Sequence, residues 1–180
     1  MNFKILGQNV RGLKEKRTSI FNFTKSKADI VFLQETHSTE LIEKKWEDEW
    51  GGKCIYSHGS SASRGCMILF KNNLEYKIID HRADDAGRFI LAKCEVQGER
   101  FFLINVYAPN IESDHEKFLN DLYKTLTDYY DDDYYRVIQE GDWNHTTDIA
   151  LDRQGGNPRQ WKKSDLAMKK EGVKGFFSET

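Results

Sequence analysis

Cysteine is scarce: Cys54, Cys66 and Cys94 are the only three in 180 residues. Three thiols make no disulfide framework, so a reducing, intracellular compartment is the expectation. Long apolar runs are missing too. No stretch approaches the ~20 residues that span a bilayer. The opening MNFKILGQNVRGLKEKR breaks its short apolar patch at Lys4 and Gln8 and offers no small-residue cleavage site, so no secretory leader is read there. An excess of positive charge is also lacking. Lys plus Arg is 27 against 29 Asp plus Glu, net −2, which removes the bulk basic signal of a nucleic-acid binder. No internal repeat and no inter-domain linker is found, and a single domain over residues 1–180 is expected. Against these absences stand 13% aromatics and several dense apolar runs, which argue for a buried core and against disorder.

The charge that is present is unevenly placed. From Glu112 to Asp152 there are 12 acids and 3 bases, whereas the rest of the chain is net +7. Part of that excess is Arg153, Arg159, Lys162, Lys163, Lys169, Lys170 and Lys174. A solvated charged surface accounts for such blocks, and so does a metal site beside a phosphate-binding surface.

The apolar pattern divides the chain into strands and helices. FKILGQN reads as a strand and KEKRTSIFNFTKSK as an amphipathic helix. DIVFLQE is a continuous apolar run ending at Gln34 and Glu35, the pattern of a strand covered on both faces. Thr39 to Trp50 carries Leu41, Ile42, Trp46 and Trp50 at helical spacing, with Ser38 or Thr39 as N-cap. GGKCIYSHGSSASRG is a short strand and a Gly/Ser loop. GCMILF, LEYKIID, RFILAKCEV and ERFFLINVY then read as a four-strand meander. Asp114 to Tyr130 is a helix with Phe118, Leu119, Leu122 and Leu126 on one face, RVIQEGD is one more strand, and a weaker helix is expected around Asp165 to Lys170. The mixture implies α/β or α+β layers.

Four of these strands end in a polar residue followed by a loop: Asn9, Glu35, Tyr107 and Asp142, with Asn144 just behind. Layered α/β folds build their sites at strand ends facing a crevice. Strands also end simply where polarity rises, but two carboxylates and two carboxamides in this arrangement suit divalent-metal chemistry. Mg²⁺ takes hard oxygen ligands, with one or two carboxylates completed by substrate phosphate and water. A further carboxylate can orient or deprotonate a water, and Asn amides or a Tyr hydroxyl can donate to a phosphoryl oxygen without adding charge.

The ordered segments GQNVRGL, FLQETH, INVYAPN and EGDWN resemble the motifs of the endonuclease/exonuclease/phosphatase superfamily. QETHSTE, SHGSSASRG, the Gly-Arg before a strand, YAPN and LDRQGGN are similar to the apurinic-endonuclease-like endonuclease domain of LINE-type non-LTR retrotransposons. The resemblance implies an α/β layered sandwich of two mixed, largely antiparallel β-sheets flanked by helices. It implies Mg²⁺-dependent phosphodiester hydrolysis, with Mn²⁺ as a substitute, on a DNA substrate. Position by position, it makes Glu35 and Asn9 metal-site residues and Tyr107 a contact to the scissile phosphate. Asp142 becomes the group that orients or activates water, Asn144 its partner at the phosphate, and Arg11 and Asn110 candidate DNA contacts. It further implies a parent polyprotein carrying a reverse transcriptase, a monomer, and a nuclear site of action.

The sequence departs from that pattern in places. A Ser-Asp-His motif with an earlier Asp, expected in the last strands, is absent; Ser164-Asp165-Leu166 is not a substitute and His145 falls in another loop. The expectation is a domain lacking its C-terminal strands, with impaired activity. Gln8 stands where an aromatic is usual, and Glu140 where a small or apolar residue is usual, placing negative charge near the metal. Two other readings stay open: an inactive remnant that folds partly and binds DNA, and a phosphatase or phospholipase of the same superfamily. Cys54, His58 and Cys66 at irregular spacing are read as structural residues and not as a zinc site. Asp131 to Asp133 is read as a solvated helix end, and the tyrosines at 129, 130, 134 and 135 as packing.

Overall fold

A computed structural model describes residues 2–130 and 135–144. The predicted Asp165–Lys170 helix, His145, the acidic run from Asp131 and Tyr134 lie outside the described residues. By contact the described residues divide into two compact units, one running to Tyr107 and including the strand that ends at Asp142, the other taking Ala108 to Tyr130 with Trp143 and Asn144.

The first unit contains two four-stranded sheets. In the first, β1 (Ile5–Asn9) runs parallel to β2 (Ile30–Gln34), and β4 (Cys66–Phe70) lies antiparallel between β2 and β3 (Cys54–Ser57). In the second, β5 (Tyr76–Ala83), β6 (Phe89–Val96) and β7 (Glu99–Tyr107) form an antiparallel meander, and β8 (Arg136–Asp142) joins β7 in parallel. This is the layered two-sheet architecture the sequence leads one to expect.

Period-2 alternation explains how β2 is covered on both sides. Ile30 and Phe32 enter a core with Ile68 and Phe70 of β4 and with Ile90, Ala92 and Leu103 of the second sheet. Val31 and Leu33 face the opposite way, towards α1 (Arg17–Lys27) and α2 (Glu43–Trp50), against Phe21, Trp46 and Trp50. Trp50 sits edge-on to Phe21, and its indole N–H donates to the Phe70 carbonyl at 2.8 Å. A large buried ring thus keeps its polar handle satisfied.

Two expectations need correction. The run of four strands is not one meander. GCMILF forms β4, whose two edges are already taken by β2 and β3, so the meander in the second sheet has three strands. The turn Lys71–Leu74 carries the chain from one sheet to the other, and Lys71 N–H anchors it on the Asp29 carbonyl. Nor does Leu41 lie on a buried helix face. Glu40–Ile42 is a single 3-10 turn, α2 starts only at Glu43, and Leu41 is 96% exposed. Neither Ser38 nor Thr39 makes a side-chain cap there.

In the second unit, α3 (His115–Tyr129) matches the predicted helix closely, with Phe118, Leu119, Leu122 and Leu126 buried. Its first residue, His115, is buried and its Nε2 donates to the Pro109 carbonyl. Among the described residues no helix is long and apolar enough to cross a membrane.

Candidate active site

The ends of β1, β2, β7 and β8 supply Asn9, Glu35, Tyr107 and Asp142. Register sets the arrangement: Asn9 pairs with Gln34, the residue before Glu35, and Tyr107 pairs with Asp142. Two side-chain hydrogen bonds join these pairs across the sheets. Asn9 Nδ2 donates to Asp142 Oδ2 at 2.7 Å, and the Tyr107 hydroxyl donates to Glu35 Oε1 at 2.7 Å. The four residues therefore close into a ring, each carboxylate oriented by a neutral donor from the other sheet. Asn9 is committed at both ends, because its Oδ1 accepts the Arg11 backbone N–H at 3.0 Å. The Arg11 side chain itself is exposed.

Beneath this ring lies a buried amide cross-link. Gln34 Nε2 donates to Asn105 Oδ1 at 2.7 Å, and Asn105 Nδ2 donates to the Leu33 and Met67 carbonyls at 3.1 and 2.8 Å. Asn105 is fully buried and stands two residues before Tyr107 on the same face of β7. Buried amides persist only when their polar atoms are paired. This pairing fixes the two sheets to each other directly under Glu35 and Tyr107.

The turn that carries Glu35 is strained and braced. Glu35 and His37 have φ of 53° and 56°, and Arg11 and Arg64 on the neighbouring turns have 48° and 63°. Left-handed non-glycine residues are uncommon, each costing about 1–3 kcal/mol, and persist where surroundings over-determine them. Here the Glu35 and Thr36 carbonyls accept from Gly12 and Leu13, while Thr36 and His37 donate to the Gly65 and Arg64 carbonyls.

Positive charge flanks the ring. The Arg88 guanidinium lies 5.1 Å over the Tyr107 ring, and its Nη1 donates to the Tyr107 carbonyl at 3.4 Å. Burial first, then the nearby positive charge of Arg64, lowers the proton affinity of Arg88. Asp84 Oδ1 holds this corner by accepting from Arg88 N, Phe89 N and Ser57 Oγ.

Glu140 stands close behind Asp142 on β8. It lies two residues before Asp142 on the same face of β8, and a Cβ added at Gly7 would collide with its carboxylate, so glycine there is what admits the side chain. Burial pushes its carboxyl up from the ordinary range. The cause is desolvation, which makes the ionised form of Glu140 costlier in the fold than in water.

Asn144 and Asn110 belong to the second unit. Asn144 Nδ2 donates to the Ala108 carbonyl at 2.7 Å, and Asn110 is exposed. The three cysteines are free and buried, with burial pushing the thiols of Cys54 and Cys94 up to about 12. His58 engages both ring nitrogens with protein oxygens. Among the described residues no group of three or more His, Cys, Asp or Glu is placed to hold a metal.

Sequence reasoning missed Gln34, Asn105 and Arg64. The available signal for the first two was a pair of amides at the ends of apolar strands, where a polar residue needs a polar partner.

No protein-family model matches the chain. An uncharacterised 149 kDa protein of the transposon TX1 from Xenopus laevis is 31% identical over 137 residues, covering 76% of this chain and 10% of that protein. The chain thus spans about a tenth of this relative's length. Among solved structures, an AP endonuclease from Archaeoglobus fulgidus is similar at a TM-score of 0.59 and 22% identity, covering 79% of this chain and 58% of that one. The endonuclease domain of TRAS1, a telomere-specific non-LTR retrotransposon, is similar at a TM-score of 0.56 and 15% identity, covering 81% and 61%.

Proposed function

With the endonuclease/exonuclease/phosphatase fold as its frame, we propose that the chain is a divalent-metal-dependent phosphodiester hydrolase of retrotransposon type that nicks DNA. The observation that carries this reading is the ring of Asn9, Asp142, Tyr107 and Glu35 at four converging strand ends. The likeness to a transposon protein and to AP and retrotransposon endonucleases supports it.

The donor set fits Mg²⁺, which is held by one or two carboxylates together with substrate phosphate and water and needs no all-protein cage. Glu35 and Asp142 are the residues that would hold it, and the ion would supply charge neutralisation at the scissile phosphate. Asn9 keeps the Asp142 carboxylate turned into the site, so that Asp142 can take a proton from the attacking water. The water oxygen bonds to phosphorus, the phosphorus–O3′ bond breaks in line with the electron pair going to the 3′ oxygen, and that oxygen takes a proton from solvent water to become the 3′-hydroxyl. That 3′-hydroxyl would serve to prime reverse transcription by the parent polyprotein. The one proton of the Tyr107 hydroxyl goes to Glu35 in this structure, and it would turn from Glu35 to a phosphate oxygen when substrate is bound. Asn144, Asn110 and Arg11 are proposed contacts to the DNA backbone.

Nicking of a supercoiled plasmid in Mg²⁺ tests the assignment, with the Glu35→Gln chain beside it. Weak metal-dependent nicking, in keeping with the impaired activity expected from the sequence, that disappears in Glu35→Gln is the expected outcome. Phosphate release from inositol phosphates without nicking would transfer the chain to the small-phosphoester hydrolases. DNA binding with neither activity would leave a non-catalytic binder.

A further inference from the structure

Thr36 and Ser38 lie on the turn that carries Glu35, and both are fully buried. Buried hydroxyls require partners. The Thr36 hydroxyl donates to Ser38 Oγ at 3.1 Å, and Ser38 Oγ meets His58 Nδ1 at 3.1 Å. His58 Nε2 in turn meets Glu43 Oε1 at 2.7 Å, at the first residue of α2.

The direction of this chain follows from its ends. A carboxylate only accepts, so in the neutral imidazole Nε2 carries the ring proton and Nδ1 is the acceptor. Ser38 must therefore donate to Nδ1, which leaves its oxygen to receive the Thr36 proton. Every hydrogen in the chain has one destination. The imidazole is held in its plane by Tyr56, stacked at 5.2 Å and 24°, whose own hydroxyl donates to the Glu43 carbonyl. On the opposite side Gly65, at φ +95°, closes the turn. A Cβ there would come within 2.5 Å of Thr36 Oγ1.

We propose that His58 is a positioning residue for Glu35, acting through Ser38 and Thr36, so that the Glu43–His58–Ser38–Thr36 relay holds the left-handed turn on which metal binding depends. The inference rests on the metal-dependent reading of the site given above. Without an acceptor at Nδ1, the Ser38 proton has no buried partner, and the turn must admit water to satisfy it. Glu35 and His37 then relax from their strained backbone, and the Glu35 carboxylate leaves its place beside Tyr107.

Two substitutions isolate the relay from packing. His58→Phe keeps the ring stacked on Tyr56 and removes both nitrogens. His58→Asn retains an acceptor at the position of Nδ1. Amide hydrogen exchange and Mn²⁺ binding are measured on the full chain. In His58→Phe, the Thr36 and His37 amides, which donate to the Gly65 and Arg64 carbonyls, should exchange faster while those of Phe32 and Ile68 stay protected. Mn²⁺ affinity should fall about 10- to 100-fold, the usual effect of losing an outer partner of a metal ligand. His58→Asn should restore most of both. Unchanged Thr36 and His37 exchange in His58→Phe overturns the proposal. So does protection lost evenly through β2 and β4, which would make His58 a residue of general stability. A flat Mn²⁺ titration of the unsubstituted chain counts against the metal reading itself, and the exchange data then decide the relay alone.

Discussion

The strands β2 and β8 each deliver a carboxylate to the same ring, yet they are built in opposite ways. Every residue of β2 is buried, between β1 and β4, with apolar neighbours on both faces. Each of its four apolar side chains contributes about 2 kcal/mol by burial alone. No residue of β8 is fully buried, and within the described residues it pairs only with β7. Glu35 is consequently placed by the core, through a strained turn that the buried relay and the Gln34–Asn105 cross-link keep in shape. Asp142 is placed at a rim, by strand register and by the Asn9 amide. The contrast teaches where chemistry and stability separate: on the Glu35 side they are coupled, and on the Asp142 side they can be changed apart.

Asp142→Asn is the sharpest test of that separation. The substitution keeps shape and leaves the core untouched, so melting should shift little. Nicking should drop by about 10²- to 10⁴-fold, the usual contribution of a positioned general base. Nicking rates beside a thermal melt decide it. Unchanged nicking would remove Asp142 from the chemistry, and a large fall in melting temperature would contradict its placement at an independent rim.

Asn105→Leu breaks the other side. It strips Gln34 of its acceptor in a fully buried site and leaves the Leu33 and Met67 carbonyls without the Asn105 donor. Stranded buried polar groups cost about 1–3 kcal/mol each, so a loss of about 3 kcal/mol is expected, on the order of 10 °C in melting temperature for a chain of this size. Adding Gln34→Leu should return part of that loss, since removing both partners avoids the stranded amide. A double variant no more stable than Asn105→Leu would mean that the cross-link is not a pairwise unit.

The strand ends and their polar residues were legible in the sequence because apolar runs of strand length stop abruptly at Asn9, Glu35, Tyr107 and Asp142. The helix from His115 to Tyr129 was legible because its apolar stripe is regular. What the sequence concealed depends on partners distant along the chain. Nothing local in GCMILF says that both its edges are taken by earlier strands. His58 and Ser38 are 20 residues apart, and Gln34 and Asn105 are 71 apart. Leu41 was misread because one 3-10 turn rotates the phase of the apolar pattern before α2 begins.

Glu140 and Gly7 belong to the same hidden class, and they provide the smallest effect at the rim. Burial raises the Glu140 carboxyl above its value in the unfolded chain. A group shifted upward lends stability below its unfolded pKa and loses it as pH rises through the folded one. At neutral pH the ionised Glu140 is therefore a small liability beside Asp142, and Glu140→Gln, neutral at every pH, removes it. Because the side chain is only partly buried, solvent screens most of the penalty, and the gain should be about a few tenths of a kcal/mol. Melting curves of both chains at neutral pH and below the ordinary glutamate range measure it. The variant should be the more stable at neutral pH, and the difference should vanish in acid, where Glu140 is protonated whether folded or not. An advantage that persists undiminished in acid would trace to packing against Gly7, and the carboxyl at the rim would then carry no electrostatic cost.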